Sequence, residues 1–106
     1  MNIPQDIMEF GQNNGLSFLS TGGGTDYIVN NSINGYVLVL KDTEDSGSPD
    51  SLTSAAEVCV YSKSDEDWSE PFSKQFKTAK AAMIAMTEDV FKNEMVAASI
   101  VHSIQS

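Results

Sequence analysis

Five consecutive apolar residues, Tyr36-Val37-Leu38-Val39-Leu40, follow directly on the dipeptide Asn34-Gly35. Asn-Gly is the preferred pair for a two-residue type I′ β-hairpin, where both central positions need a positive φ. A strand that is apolar at every position, rather than every second one, has both of its faces covered. The segment therefore predicts the central strand of a sheet, entered from a hairpin whose first arm begins at Tyr27-Ile28-Val29.

The rest of the pattern is arranged around that strand. Ile3, Ile7 and Phe10 share one face at i, i+4, i+7, and Pro4 suits a first helical turn, so 3–10 reads as a short helix closed by Gln12-Asn13-Asn14-Gly15. Leu16 to Ser20 alternates as a short strand, and Glu57 to Ser62 reads as another. Phe72-Ser-Lys-Gln-Phe76 fits either a strand with both rings inward or the start of a helix with them at i, i+4. The strand is favoured because Thr78 is a good N-cap for an Ala/Met-rich helix over 79–86. Thr87-Glu88-Asp89 looks like a second N-cap, opening a last helix to about Ile104. These elements predict an α+β fold in a single domain over 1–106. It has a short N-terminal helix, an antiparallel sheet of about four strands and C-terminal helices packed on one face. The final helix carries more apolar residues than one core-facing stripe requires, so either it is sandwiched between the sheet and a neighbouring helix, or its second face pairs through Val96, Ile100 and Ile104 in a homodimer.

Charge is distributed unevenly along the chain. Residues 1–70 hold twelve carboxylates and two lysines, residues 71–106 three carboxylates and four lysines, and the net charge is −9 without a single arginine. Eight of the carboxylates fall in two short runs, Asp42, Glu44, Asp45 and Asp50, then Asp65, Glu66, Asp67 and Glu70 around the only tryptophan, Trp68. Phosphate backbones are bound by Lys and Arg that displace counterions, so direct nucleic-acid binding is excluded. Anionic membranes are disfavoured for the same reason, and no stretch is long and apolar enough to span a bilayer. The N-terminus lacks the basic and apolar regions of a secretion signal, and one cysteine, Cys59, makes no internal disulfide; both fit a cytoplasmic protein.

No motif carries a reaction. Thr21-Gly22-Gly23-Gly24-Thr25 has neither the Lys-Ser/Thr of a phosphate loop nor the spaced glycines of a dinucleotide site, and reads as a connection. Asp42, Glu44, Ser46 and Gly47 match the first half of a calcium loop, with Asp50 at its ninth position. The twelfth position, which needs a bidentate glutamate, is Thr53, so the loop reads as solvated surface. Cys59 sits within an apolar strand, where an inert thiol is usual, and His102 lies in the last turns of the final helix. The expectation is a protein without enzymatic activity, cofactor or bound metal.

A tryptophan among acids is an interface signature, since aromatic anchors supply affinity and charges steer the partner. The two acidic runs, with Trp68, are thus the expected protein-binding residues. Carboxylates spread over a surface imitate a nucleic-acid backbone and can occupy the basic groove of a nuclease, a repressor or an RNA-guided complex. Size, charge and missing motifs together fit an inhibitor of a basic, nucleic-acid-binding protein, of the phage anti-defence or immunity-protein kind. A phage-encoded version would act in the host cytoplasm. The alternatives are a dimeric protein-binding module, such as a secretion-type chaperone without mimicry, and an accessory structural subunit.

Overall fold

A computed structural model describes residues 3–20, 25–44, 47–63 and 72–105. The chain runs α1 (Gln5–Asn13), β1 (Ser17–Ser20), β2 (Asp26–Asn30), β3 (Tyr36–Asp42), β4 (Ala56–Ser62), β5 (Phe72–Phe76), α2 (Ala79–Met86) and α3 (Asp89–Gln105). The strands form one antiparallel meander in the order β1-β2-β3-β4-β5. The class is α+β as expected, with five strands rather than four. The fifth is Phe72–Phe76, where the strand reading holds. Phe72 pairs with Val60 and Phe76 with Ala56, so both rings face the core beneath the helices.

The hairpin between β2 and β3 differs from the two-residue turn that Asn34-Gly35 suggests. Such a turn would pair Ile33 with Tyr36, and therefore Val29 with Leu40. The observed partner of Val29 is Val39, one residue away. Paired residues point to the same face, and a one-residue slip exchanges the faces of a strand. With the observed register Ile28, Leu38 and Leu40 lie together under the helices, while Val29 and Val39 lie together on the other side. Burial on both faces thus overrides the turn dipeptide. Gly35 still turns the chain, at φ 83°, and the Tyr36 amide donates to the Ile33 carbonyl at 3.3 Å.

The larger core gathers Ile3 and Ile7 from the N-terminal helical segment, Leu38, Leu40, Val58 and Val60 from the central strands, and Met83, Met86 and Met95 from α2 and α3. Thr78 caps α2 as expected, its Oγ1 accepting the Ala81 amide at 3.1 Å. Thr87 does not cap α3. It ends α2 instead, donating its hydroxyl to the Ile84 carbonyl at 2.7 Å, and α3 begins two residues later with the Lys92 amide bonded to the Glu88 carbonyl. Pro4 stands at the N-cap of α1, one position before the first turn, and the helix runs on to Asn13. Gly11 lets α1 lie close on the sheet, since a Cβ there would meet Ile28 Cδ1 at 3.2 Å.

Candidate functional site

Three surfaces carry the residues singled out by sequence. The first is the connection between β3 and β4. Asp42 ends β3 and is half-buried, while Glu44 and Asp50 are exposed. Asp45 lies outside the described residues, as do Asp65, Glu66, Asp67, Trp68 and Glu70 of the second acidic run and residues 21–24 of the glycine-rich stretch. The connection is fastened at several points. The Asp42 amide donates to the Gly47 carbonyl at 2.8 Å, and Asp42 Oδ2 accepts the Glu44 amide at 3.2 Å. Pro49 is fully buried, and Leu52 packs against the main core. Further on, Asp6 Oδ2 accepts the Leu52 amide at 3.0 Å, and the first amides of α2, Ala79 and Lys80, donate to the carbonyls of Ser54 and Leu52 at 2.7 and 3.0 Å. Those two bonds satisfy helix N-terminal donors that otherwise lack partners, so the loop and α2 fix one another.

The anchors of the two acidic runs are at opposite ends of β4. One run leads from Asp42 into Ala56, and the other leaves after Ser62–Lys63 and rejoins the sheet at Phe72. Among the described residues no three of His, Cys, Asp or Glu stand close enough to share a metal ion. Thr53, the residue at the ligand position of the calcium-like pattern, shares a hydrogen bond between its hydroxyl and that of Ser51 at 3.1 Å.

The second surface is the sheet face turned away from the helices, which composition gives no hint of. Val29, Val37, Val39, Cys59 and Tyr61 form a separate buried cluster there, with Leu19 and Tyr27 packed against it. Lys41 lies across it. Its ammonium donates to the Tyr61 hydroxyl at 2.8 Å and stands 5.4 and 5.7 Å from the ring centres of Tyr61 and Tyr27. Burial is the largest single influence on Lys41 and opposes its charge, but the hydrogen bond to Tyr61 and the electrostatic pull of Tyr61, Cys59 and Tyr27 together outweigh it, and the pKa is raised. Burial also raises that of Tyr61, against the pull of Lys41. At neutral pH the pair is an ammonium donating to a neutral phenol, a cation held by rings as well as by a hydrogen bond. Burial, with Glu57 close by, pushes the Cys59 thiol up to about 11. Such a thiol is a poor nucleophile. His102 is on α3, tilted against the Phe72 ring at 6.4 Å, on the opposite side of the sheet. A Cys59–His102 dyad is not assembled.

The third surface is the outer side of α3. Met95 is its buried contact, whereas Val90, Ile100, Val101 and Ile104 are 70, 45, 52 and 80% exposed. Val96 is half-buried on the flank. Ile100 and Ile104 border an open cleft of about 200 Å³ completed by Tyr36, Ser62 and Ser99. A second cleft, of about 290 Å³, is lined by Asn14, Asn30, Ser32, Thr87 and Lys92 among others. Its lysine is paired with Asp89 at 2.9 Å, and its Asn30 amide is committed to the Met86 carbonyl at 2.7 Å. Neither cleft brings a nucleophile to a base.

No protein-family model matches the chain, and neither a curated protein nor a solved structure matches it. Among the described residues no helix is long and apolar enough to cross a membrane.

Proposed function

We propose that this chain is a small, non-catalytic acidic protein of the cytoplasm that binds and inhibits a basic, nucleic-acid-binding protein. The observation that carries the proposal is the fastened acidic connection. Glu44 and Asp50 are exposed on a connection, begun by the half-buried Asp42 at the end of β3, whose backbone is bonded to α1, to α2 and to itself. Charges held in place bind without the cost of ordering the loop, and they draw an oppositely charged partner in from solution. Lys41, which adjoins the run, directs its ammonium at Tyr61 on the back of the sheet. The second acidic run around Trp68, which leaves from the other end of β4, would be a second protein-binding segment with an aromatic anchor. In a phage-encoded version the target would be a host defence nuclease or repressor.

The test is to capture the partner from the native host and titrate it against the purified chain at low and moderate salt. Expected is a basic partner whose affinity falls by about tenfold or more between 50 and 300 mM salt, as for charge-steered contacts. Asp42→Asn with Glu44→Gln and Asp50→Asn, or Asp65→Asn with Glu66→Gln and Asp67→Asn, should weaken binding without unfolding the chain. Affinity indifferent to salt and to both sets would overturn the reading. It would favour the second one, a dimeric protein-binding module working through Ile100 and Ile104, for which the exposed apolar side of α3 speaks.

A further inference from the structure

We infer that Asn34 is a site of spontaneous modification, where the folded chain exchanges a neutral amide for a carboxylate, and that Asn14 is protected from the same reaction. Only water is consumed. The Gly35 amide nitrogen gives its proton to solvent base and bonds to Asn34 Cγ, and the Cγ–Nδ2 bond breaks as ammonia leaves with a proton returned from solvent. The cyclic succinimide then takes up water at either carbonyl. One opening gives aspartate, and the other an isoaspartyl link in which the main chain runs through Cγ. A glycine after the asparagine favours the attack because no side chain shields its nitrogen.

The chain contains two such pairs, Asn14-Gly15 and Asn34-Gly35, and all of these residues are exposed. Both glycines have positive φ, 79° and 83°, and at neither does anything stand within 4 Å of where a Cβ would be. Hydrogen bonding separates the two pairs. Asn14 is the C-cap of α1, its Nδ2 donating to the Phe10 carbonyl at 2.7 Å and the Gly15 amide to the Gln12 carbonyl at 3.1 Å. Leaving group and nucleophile are both engaged there. At the turn between β2 and β3, neither the Asn34 side chain nor the Gly35 amide is bonded to any of the described residues. That turn is held by groups the reaction does not use, the Tyr36 amide on the Ile33 carbonyl at 3.3 Å and the Lys63 amide on the Gly35 carbonyl at 2.9 Å. The product also meets a cation, since the Lys63 ammonium donates to the Asn31 carbonyl of the same connection at 3.2 Å. Conversion adds a negative charge where β4 ends and the second acidic run begins. It needs no partner and is independent of the function proposed above.

The test follows the purified chain in mildly alkaline buffer, folded and in concentrated urea. Peptide mapping by mass spectrometry reads a gain of about 1 Da at each converted asparagine, and an isoaspartyl methyltransferase labels the second product. In the folded chain Asn34 should convert at least about tenfold faster than Asn14, whose two hydrogen bonds have to break first. In urea both pairs lose their surroundings, and the two rates should come within about threefold of one another. Asn34→Gln, whose longer side chain closes a ring far more slowly, should keep the circular dichroism of the fold and lose the acidic species that the wild type accumulates on ion exchange. Asn14 converting as fast as Asn34 in the folded chain overturns the inference, and so does an Asn34 that converts in urea but not when folded. A preference for Asn34 that urea leaves unchanged also overturns it, because the neighbouring residues and not the fold would then set the order.

Discussion

The two faces of the sheet are both apolar at their centre, yet they are closed in different ways. Under the helices, Ile28, Leu38, Leu40, Val58 and Val60 meet Ile7, Met83 and Met86 from other elements. On the back, Val29, Val37, Val39 and Cys59 are covered in part by the sheet's own long side chains: Tyr27, Tyr61 and Lys41. The first face is a layer-to-layer core, in which every deleted methylene leaves a hole between two rigid elements. The second relies on an amphipathic stem laid over a strand surface, with its charge satisfied by a phenol and two rings. The difference teaches that the all-apolar run of β3 needs two covers, and that only one of them has to be a helix.

The largest effect should separate the faces directly. Leu38→Ala, fully buried beneath the helices, should destabilise the chain by about 3–4 kcal/mol, the transfer of the lost methylenes plus the cavity left between sheet and α2. Val39→Ala, the next residue but on the back, should cost about half as much, because fewer methylenes are lost and Lys41 and the tyrosines can settle inward. Urea unfolding of the two variants measures the ratio. Equal losses would mean that the back is packed as rigidly as the front.

The helix face was legible in the sequence because its signals are local. Thr78 precedes an Ala/Met run, Ile3 and Ile7 repeat at helical spacing, and β3 announces its central place by having no polar residue until Lys41. The back was not legible. Lys41 and Tyr61 are twenty residues apart and meet only through the antiparallel register that joins β3 to β4. That register is settled by burial on both sides, which also defeated the Asn34-Gly35 turn. Thr87 misled for a related reason. A threonine between two helices can cap either one, and here its hydroxyl turned to the carbonyl behind it. Of the expected site, composition located the acidic run at 42–50 but gave no sign that Asp6 and the start of α2 would fasten it, since those contacts join residues far apart in the chain.

Alkaline pH should act on the back of the sheet. The Cys59 thiol is raised from 9.0 to about 11 in the folded chain, so between those values the unfolded chain has lost a proton that the folded chain keeps. Stability from this group is fully present below about pH 9 and is lost as pH rises through 11, at most about 2–3 kcal/mol for a shift of this size. Lys41 and Tyr61 are raised too and have the same sign. Urea midpoints measured from pH 8 to 11 should therefore fall, and Cys59→Ala should flatten part of that fall but not all. A midpoint that rose with pH would contradict the burial of the thiol.

Lys41 itself tests what covers the back. Lys41→Met keeps most of the stem and removes the ammonium, and should cost within about 1 kcal/mol, the net worth of one partly exposed hydrogen bond. Lys41→Ala removes the stem as well and should cost about 1 kcal/mol more, because Val39 and Cys59 lose their apolar cover. If both variants lost the same amount, the charge rather than the stem would be holding the face together.

The smallest effect probes how closely the helix layer sits. Gly11 lies inside α1, is buried, and has no positive φ. Replacing it with alanine gains about 1 kcal/mol of helix propensity. The new Cβ would stand 3.2 Å from Ile28 Cδ1 and 3.4 Å from its Cγ2, so the isoleucine must yield by a few tenths of an ångström. Cδ1 is the end of a flexible side chain, but Ile28 is itself fully buried among the core residues, so the movement is resisted. Overpacking of this kind typically costs at least as much as the propensity returns. Gly11→Ala should therefore leave the urea midpoint within about 0.5 kcal/mol of the wild type, with the two contributions cancelling. A gain near the full propensity value would show that α1 can lift off β2 freely. The front of the sheet would then be no more rigid than the back.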